Sequence, residues 1–134
     1  MKKFDNFSSN LDVLLRADKE DLDNEFIISG IIDKFFVQFE LSWKVLKELL
    51  RYEGKAVAAT GSPRAIIKAA FSVYNFLDET VWLSMLKDRN DMTHIYSGEA
   101  AKRLVQTILT EYIPVFQCMR EELLRYYGGN LEDI

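Results

Sequence analysis

The chain has 134 residues, 49% of them hydrophobic and 13% aromatic, which suffices for one domain with a real core and leaves too little for a second lobe. Seventeen basic residues against 21 acidic ones give a net charge of −4, so a polyanion has to be met by a local patch, not by the molecule as a whole. No run of about 18 apolar residues could cross a bilayer, and Met1-Lys2-Lys3-Phe4-Asp5 turns polar too soon to open a signal peptide. A cytoplasmic protein without membrane contact is the expectation. Cys118 is the only cysteine, which rules out an internal disulfide and a cysteine metal cluster. It falls on the apolar side of a helical pattern and reads as a buried, inert thiol.

Two prolines and six glycines punctuate the chain, apolar residues recur every three to four positions, and no stretch alternates as a half-buried strand does. The pattern predicts helices throughout. The first runs from about Lys3 to Arg16, with Phe4, Phe7, Leu11, Leu14 and Leu15 on one face. The second runs from about Asp23 to Tyr52, carries the stripe Ile28, Ile31, Ile32, Phe35, Phe39, Trp43, Leu46 and Leu50, and stops at Gly54. That is about 45 Å of helix. Gly30 inside it costs about 1 kcal/mol relative to alanine, which predicts a close helix crossing or a local irregularity. Glu40/Lys44 and Lys44/Glu48 are spaced to pair across one turn. Trp43 continues the core stripe. Between Lys44 and Lys68 six cations (Lys44, Lys47, Arg51, Lys55, Arg64, Lys68) face two acids, Glu48 and Glu53, as either a solvated face or a phosphate-facing one.

Ser62-Pro63 is an N-cap followed by proline at the first helical position, and it opens a short helix through Ile66, Ile67, Ala70, Phe71 and Tyr74. Asp78-Glu79 opens another, carrying Val81, Trp82, Met85, Leu86 and Arg89. The last helix is expected from Ser97 to Tyr127, kinked between Thr110 and Pro114 and stopped by Gly128-Gly129. Together these make an all-α, antiparallel up-and-down bundle of four to five helices, with residues 1–134 forming a single domain. Phe36, Tyr52, Tyr112 and Tyr127 read as aromatics beyond the needs of the core, and hence as a dimer surface.

The chemistry concentrates in Arg89-Asn90-Asp91-Met92-Thr93-His94-Ile95-Tyr96, which holds the only histidine. In one regular helix His94 would point about 140° away from Arg89, and Tyr96 about 160° away from His94. If the helix ends near Met92, as the cap at Ser97 demands, all three side chains can converge. Arginine pairs bidentately with phosphate and imidazole exchanges protons near neutral pH, a combination suited to a phosphodiester. RNA brings its own nucleophile, the 2′-hydroxyl. Base and acid together would need two histidines, one from each subunit of a symmetric dimer. On spacing alone the simpler reading leads, in which His94 merely caps the end of a helix.

Arg89-x4-His94-x-Tyr96 followed by a long helix resembles the R-x4-H-x-Y motif of the HEPN superfamily. Phe39-Glu40-x-Ser42-Trp43-Lys44-x-Leu46-Lys47 and Ser62-Pro63-Arg64-x-x-x-Lys68-x-Ala70-Phe71 make the whole chain resemble that superfamily's nucleotidyltransferase substrate-binding branch. The resemblance implies a HEPN-like homodimeric bundle partnered with a separate small nucleotidyltransferase of the minimal type, encoded nearby. It further implies a nucleotide or RNA ligand, with Arg89 on phosphate, His94 as acid and base, and Tyr96 as the modified or substrate-positioning group. Asn90, Asp91, Glu40 and Lys44 become nucleotide-binding candidates. Two readings stay open: a nucleotide-binding subunit, or a metal-independent RNase toxin using Arg89 and His94 and silenced by adenylylation at Tyr96. No cofactor and no metal are expected. The chain lacks the clustered carboxylates that hold magnesium for nucleotidyl transfer, so it should not be a transferase by itself.

Overall fold

The structure, a computed structural model, describes residues 1–91 and 98–134. His94, Tyr96 and the expected cap at Ser97 lie outside the described residues. Among those that are described, every regular element is helical and none is long and apolar enough to cross a membrane. The order is α1 (Lys2–Leu14), a 3-10 turn (Ala17–Lys19), α2 (Glu25–Tyr52), α3 (Val57–Thr60), α4 (Pro63–Val73), α5 (Glu79–Asn90), α6 (Gly98–Thr107), a π turn (Ile108–Tyr112), α7 (Ile113–Tyr127) and a closing 3-10 turn (Gly128–Asp133).

Helix ends form where side chains satisfy the backbone groups that a helix leaves unpaired. Asn24 Oδ1 accepts from the Phe26 and Ile27 amides at the start of α2, Ser62 Oγ from Ala65 at α4, and Asp78 Oδ1 from Val81 at α5. Gly54 ends α2 at φ 76°, where a Cβ would be strained; the Lys55 amide then reaches back to the Leu50 carbonyl at 2.9 Å. Gly128, at φ 57°, stops α7.

α1 lies antiparallel to α2, with Lys3 beside Glu48 and Asn10 beside Gln38. Gln38 is fully buried and satisfied: its amide donates to the Phe7 carbonyl (3.1 Å) and accepts from Asn10 (2.8 Å). α1 is also antiparallel to α7: the Met1 ammonium donates to the Leu131 carbonyl just past the end of α7, and Asp12, eleven residues on, meets Arg120 earlier in α7. α2 and α6–α7 therefore run the same way, as the matches Asp23/Lys102, Phe35/Tyr112 and Tyr52/Tyr127 show. α4 and α5 form a short antiparallel pair packed on α2, which α5 meets near its middle at Phe39 and Glu40. Trp82 of α5 is inserted between Phe39 and Phe116, at centroid distances of 6.4 and 5.8 Å.

The irregularity ahead of Pro114 takes the form of a widened turn. Proline has no amide for the Thr110 carbonyl and its ring would strike that carbonyl, so the backbone opens by one residue. Tyr112 is thereby turned inward: it is buried and stacked on Phe35 at 5.2 Å. Tyr127 is buried too, its hydroxyl donating to Glu53 at 2.9 Å and meeting that of Tyr74. Burial pushes the Tyr74 hydroxyl up to about 12. Tyr112 and Tyr127 are thus core residues and not spare surface. Phe36 is half-buried against Phe35, and of the four aromatics expected outside only Tyr52 is exposed.

Two further expectations change. Cys118 is exposed, because it sits two positions past the buried Phe116 and so on the opposite face of α7. Partial desolvation, then the Glu122 and Glu121 carboxylates, push its thiol up and keep it protonated. Gly30 marks neither a helix crossing nor a break: α2 runs straight through it, and a Cβ there would meet nothing within 4 Å. Gly61 is the opposite case, for a Cβ would lie 2.6 Å from the Val57 carbonyl oxygen and 3.0 Å from Ile66. Urea unfolding should accordingly show Gly30→Ala stabilising by about 0.5–1 kcal/mol and Gly61→Ala destabilising by about 1–3 kcal/mol. Equal midpoints for the two variants would contradict this account of the backbone.

Candidate functional site

Trp82, Met85, Leu86 and Arg89 share one face of α5, spaced at three, four and seven residues. The first three are buried, so Arg89 is carried along the packed face onto α2 instead of out into solvent. There it meets Glu40, the residue after the fully buried Phe39. Arg89 Nε and Nη2 donate to Glu40 Oε1 at 2.6 and 2.5 Å, and Arg89 Nη1 donates to Asn90 Oδ1 at 3.0 Å. The other carboxylate oxygen, Oε2, accepts from Trp43 Nε1 at 3.0 Å. With side-chain exposures of 33% for Arg89 and 30% for Glu40, this pair is more shielded than an ordinary surface ion pair.

The partners expected one turn apart on α2 are replaced by these. Glu40 turns to Arg89 and Trp43, while Glu48 takes Lys3 at 2.8 Å and Arg51 at 3.5 Å. The hydrogen bond from Lys3 holds the Glu48 carboxyl below the usual range, against a smaller opposing effect of burial. Lys44 lies over the Trp43 ring, 5.9 Å from its centroid. Trp43 is half-buried at the rim, not fully in the core, because its indole N–H is drawn to Glu40.

A second tie fixes the end of α5 from behind. The Tyr112 hydroxyl, brought inward by the π turn, donates to Asp88 and lies 2.9 Å from Ser84 Oγ. Burial, then the bond to Asp88, pushes the Tyr112 hydroxyl up, so it remains a donor. α5 stops at Asn90, and Asp91 is extended (φ −94°, ψ 95°), so the helix breaks one residue before the expected Met92.

Between the first turn of α4 and the last two turns of α5 lies a cleft of about 290 Å³ lined by Ser62, Pro63, Arg64, Leu83, Leu86, Lys87, Arg89 and Asn90. Three of these are cations and none is acidic. Arg64 is the one member of the six-cation tract between Lys44 and Lys68 that reaches it; Arg51 pairs with Glu48 and Lys68 with Glu79. Of the sequence candidates, Arg89 and Asn90 line the cleft, Glu40 stands behind Arg89, Lys44 sits on Trp43, and Asp91 ends the helix. His94 and Tyr96 lie outside the described residues. No group of three or more His, Cys, Asp or Glu among the described residues could hold a metal ion.

Arg64, Lys87 and Tyr112 were missed as site residues. For the first two a signal was present: a helix from Pro63 joined by a short link to a helix ending near Arg89 must, if the pair is antiparallel, place the start of one beside the end of the other. A double-mutant cycle on Glu40→Gln and Arg89→Gln should give a coupling of about 1 kcal/mol in unfolding free energy. Additive effects would mean that the pair contributes nothing to holding α5 on α2.

A comparison with curated proteins finds no match for the chain. The family model described as "Nucleotidyltransferase substrate binding protein like" matches residues 1–125. With the R-x4-H-x-Y string and the Glu40 and Arg64 segments all inside that span, the chain belongs to the nucleotidyltransferase substrate-binding family, within the HEPN-like superfamily.

Proposed function

We propose that this protein is the nucleotide-binding subunit of a two-protein nucleotidyltransferase: a homodimer that presents a nucleotide to a separate small transferase encoded nearby. The observation that carries the reading is Arg89, held by Glu40 at the lip of the cationic cleft. Of the five N–H donors of a guanidinium, one on Nε and one on Nη2 go to Glu40 and one on Nη1 goes to Asn90, so each Nη keeps one donor for a phosphate oxygen. Glu40 then acts by orienting Arg89 and not by touching the ligand, while Asn90 and Asp91 border the nucleotide. Lys44, held over Trp43, adds positive charge on the same side of α2. Preorganised donors of this kind bind at lower entropic cost than a mobile side chain would.

A second reading, an RNase toxin using Arg89 and His94 and silenced at Tyr96, is favoured by one specific feature. α5 ends at Asn90 and Asp91 is extended, the helix break just after Arg89 that this reading requires. Two such sites facing each other in the dimer would supply base and acid.

Calorimetric titration with ATP tests the first reading: Arg89→Ala should weaken binding at least tenfold, about 1.4 kcal/mol, with the fold intact by circular dichroism. Unchanged affinity would overturn it. Growth of cells expressing the chain alone, beside His94→Ala, tests the second; equal growth and equally intact RNA in both cultures would sink it.

A further inference from the structure

We propose that the α4–α5 cleft is a polyphosphate subsite, in which Arg64 and Lys87 take the outer phosphates of a nucleoside triphosphate whose remaining phosphate lies on Arg89. This rests on the nucleotide-binding reading above and specifies which part of the nucleotide the cleft recognises.

Four features of the cleft support it. The first is charge: Arg64, Lys87 and Arg89 converge on a space lined by no acid, in a protein whose net charge is −4. With Arg89 balanced from behind by Glu40, Arg64 and Lys87 leave a local surplus of two positive charges in an acidic molecule, the patch that a compact polyanion needs. The second is pairing. Among the described residues neither Arg64 nor Lys87 has an ion-pair partner, whereas the nearby Lys68 pairs with Glu79, Arg51 with Glu48, and Arg89 with Glu40. Of the acids near the cleft, Glu40 is engaged behind Arg89, Asp88 on Tyr112 and Glu79 on Lys68, while Asp91 follows Asn90 at the end of α5 and is not among the lining residues.

The third feature is size. About 290 Å³ stands at the lower edge of the range of about 300 to 1,000 Å³ for pockets that enclose drug-sized ligands. A chain of phosphates fits, with the base and ribose beyond the lip. The fourth is the disposition of donors along the cleft. Arg64 stands in the first turn of α4 at one wall, Lys87 and Arg89, two residues apart and so on different sides of α5, border the cleft from the other, and Leu83 and Leu86 form an apolar floor. Charged donors on two walls above a floor that cannot hydrogen-bond suit a linear, multiply charged ligand better than a single phosphate, which Arg89 alone could satisfy.

The subsite predicts that affinity follows the number of phosphates. Titrating the full-length protein with ATP, ADP and AMP in excess chelator should give ATP binding about tenfold tighter than AMP, with ADP between. Inorganic tripolyphosphate should compete. Arg64→Ala and Lys87→Ala should each weaken ATP about tenfold while changing AMP less than threefold, and Arg64→Glu should erase the preference for ATP. Both residues are exposed, so these variants keep the core, which urea midpoints check. AMP binding as tightly as ATP, or no effect of Arg64→Ala and Lys87→Ala on ATP, would overturn the subsite while leaving an Arg89-dependent nucleotide site standing. No binding of any nucleotide by the unaltered protein would overturn both.

Discussion

One apolar face on α2 governs where everything else can go. Twenty-eight residues of unbroken helix span about 42 Å, and from Ile28 to Leu50 the buried positions recur at helical spacing. A helix of that length with one wide apolar face cannot be covered by a single partner. α1 lies along one flank, α6 and α7 along another, and the α4–α5 pair covers a third, with α5 meeting α2 at Phe39 and Glu40. Because α6 and α7 run in the same direction as α2, the chain must travel back before starting them, and α4 and α5 are the return. Gln38 shows how tight the arrangement is: its amide is fully buried at the crossing with α1, and both ends are satisfied by Phe7 and Asn10.

The site is a consequence of the same face. Phe39 is fully buried against Trp82, so the adjacent Glu40 is fixed at the rim of the core by a neighbour that cannot move. Arg89 arrives from the other side because it continues the buried stripe of α5 by one more step. The pair therefore forms between two side chains whose backbones are already placed by packing, and little ordering cost remains when they meet. Trp43 holds the second oxygen of Glu40, and Tyr112 holds Asp88, so the last turn of α5 is tied both to α2 and to the π turn. The π turn has a covalent cause, Pro114, yet its effect reaches the site through Tyr112. A local demand of the backbone has become part of how the arginine is positioned.

Much of the fold was legible because helix ends are written in local chemistry. Ser62-Pro63, Asp78, Gly54 and Gly128 each act on backbone groups within a few residues, and each marks the boundary the sequence suggested. The break near Met92 was legible for the same reason. What failed depended on partners far along the chain. Glu40 and Lys44 are correctly spaced to pair, but Arg89, 49 residues away, binds the carboxylate instead. The hydroxyls of the buried Tyr112 and Tyr127 find Asp88 and Glu53 at the edge of the core, which no periodicity reveals. Cys118 was assigned to the wrong face by half a turn of phase. The motif points to Arg89 and Asn90, which line the cleft, whereas Arg64 and Lys87, which also line it, stand out only once the antiparallel pairing of α4 and α5 is drawn.

The central claim is that Glu40 fixes Arg89 so that its outward donors face the cleft. The Arg89 Nε–H group reports on this directly by nitrogen-15 NMR, assigned by its loss in Arg89→Lys. In the unaltered protein the signal should be shifted downfield and protected from solvent exchange, and in Glu40→Ala it should move to the position of a free arginine and exchange rapidly. An Arg89 signal with the same shift and the same exchange rate in both proteins would contradict the account.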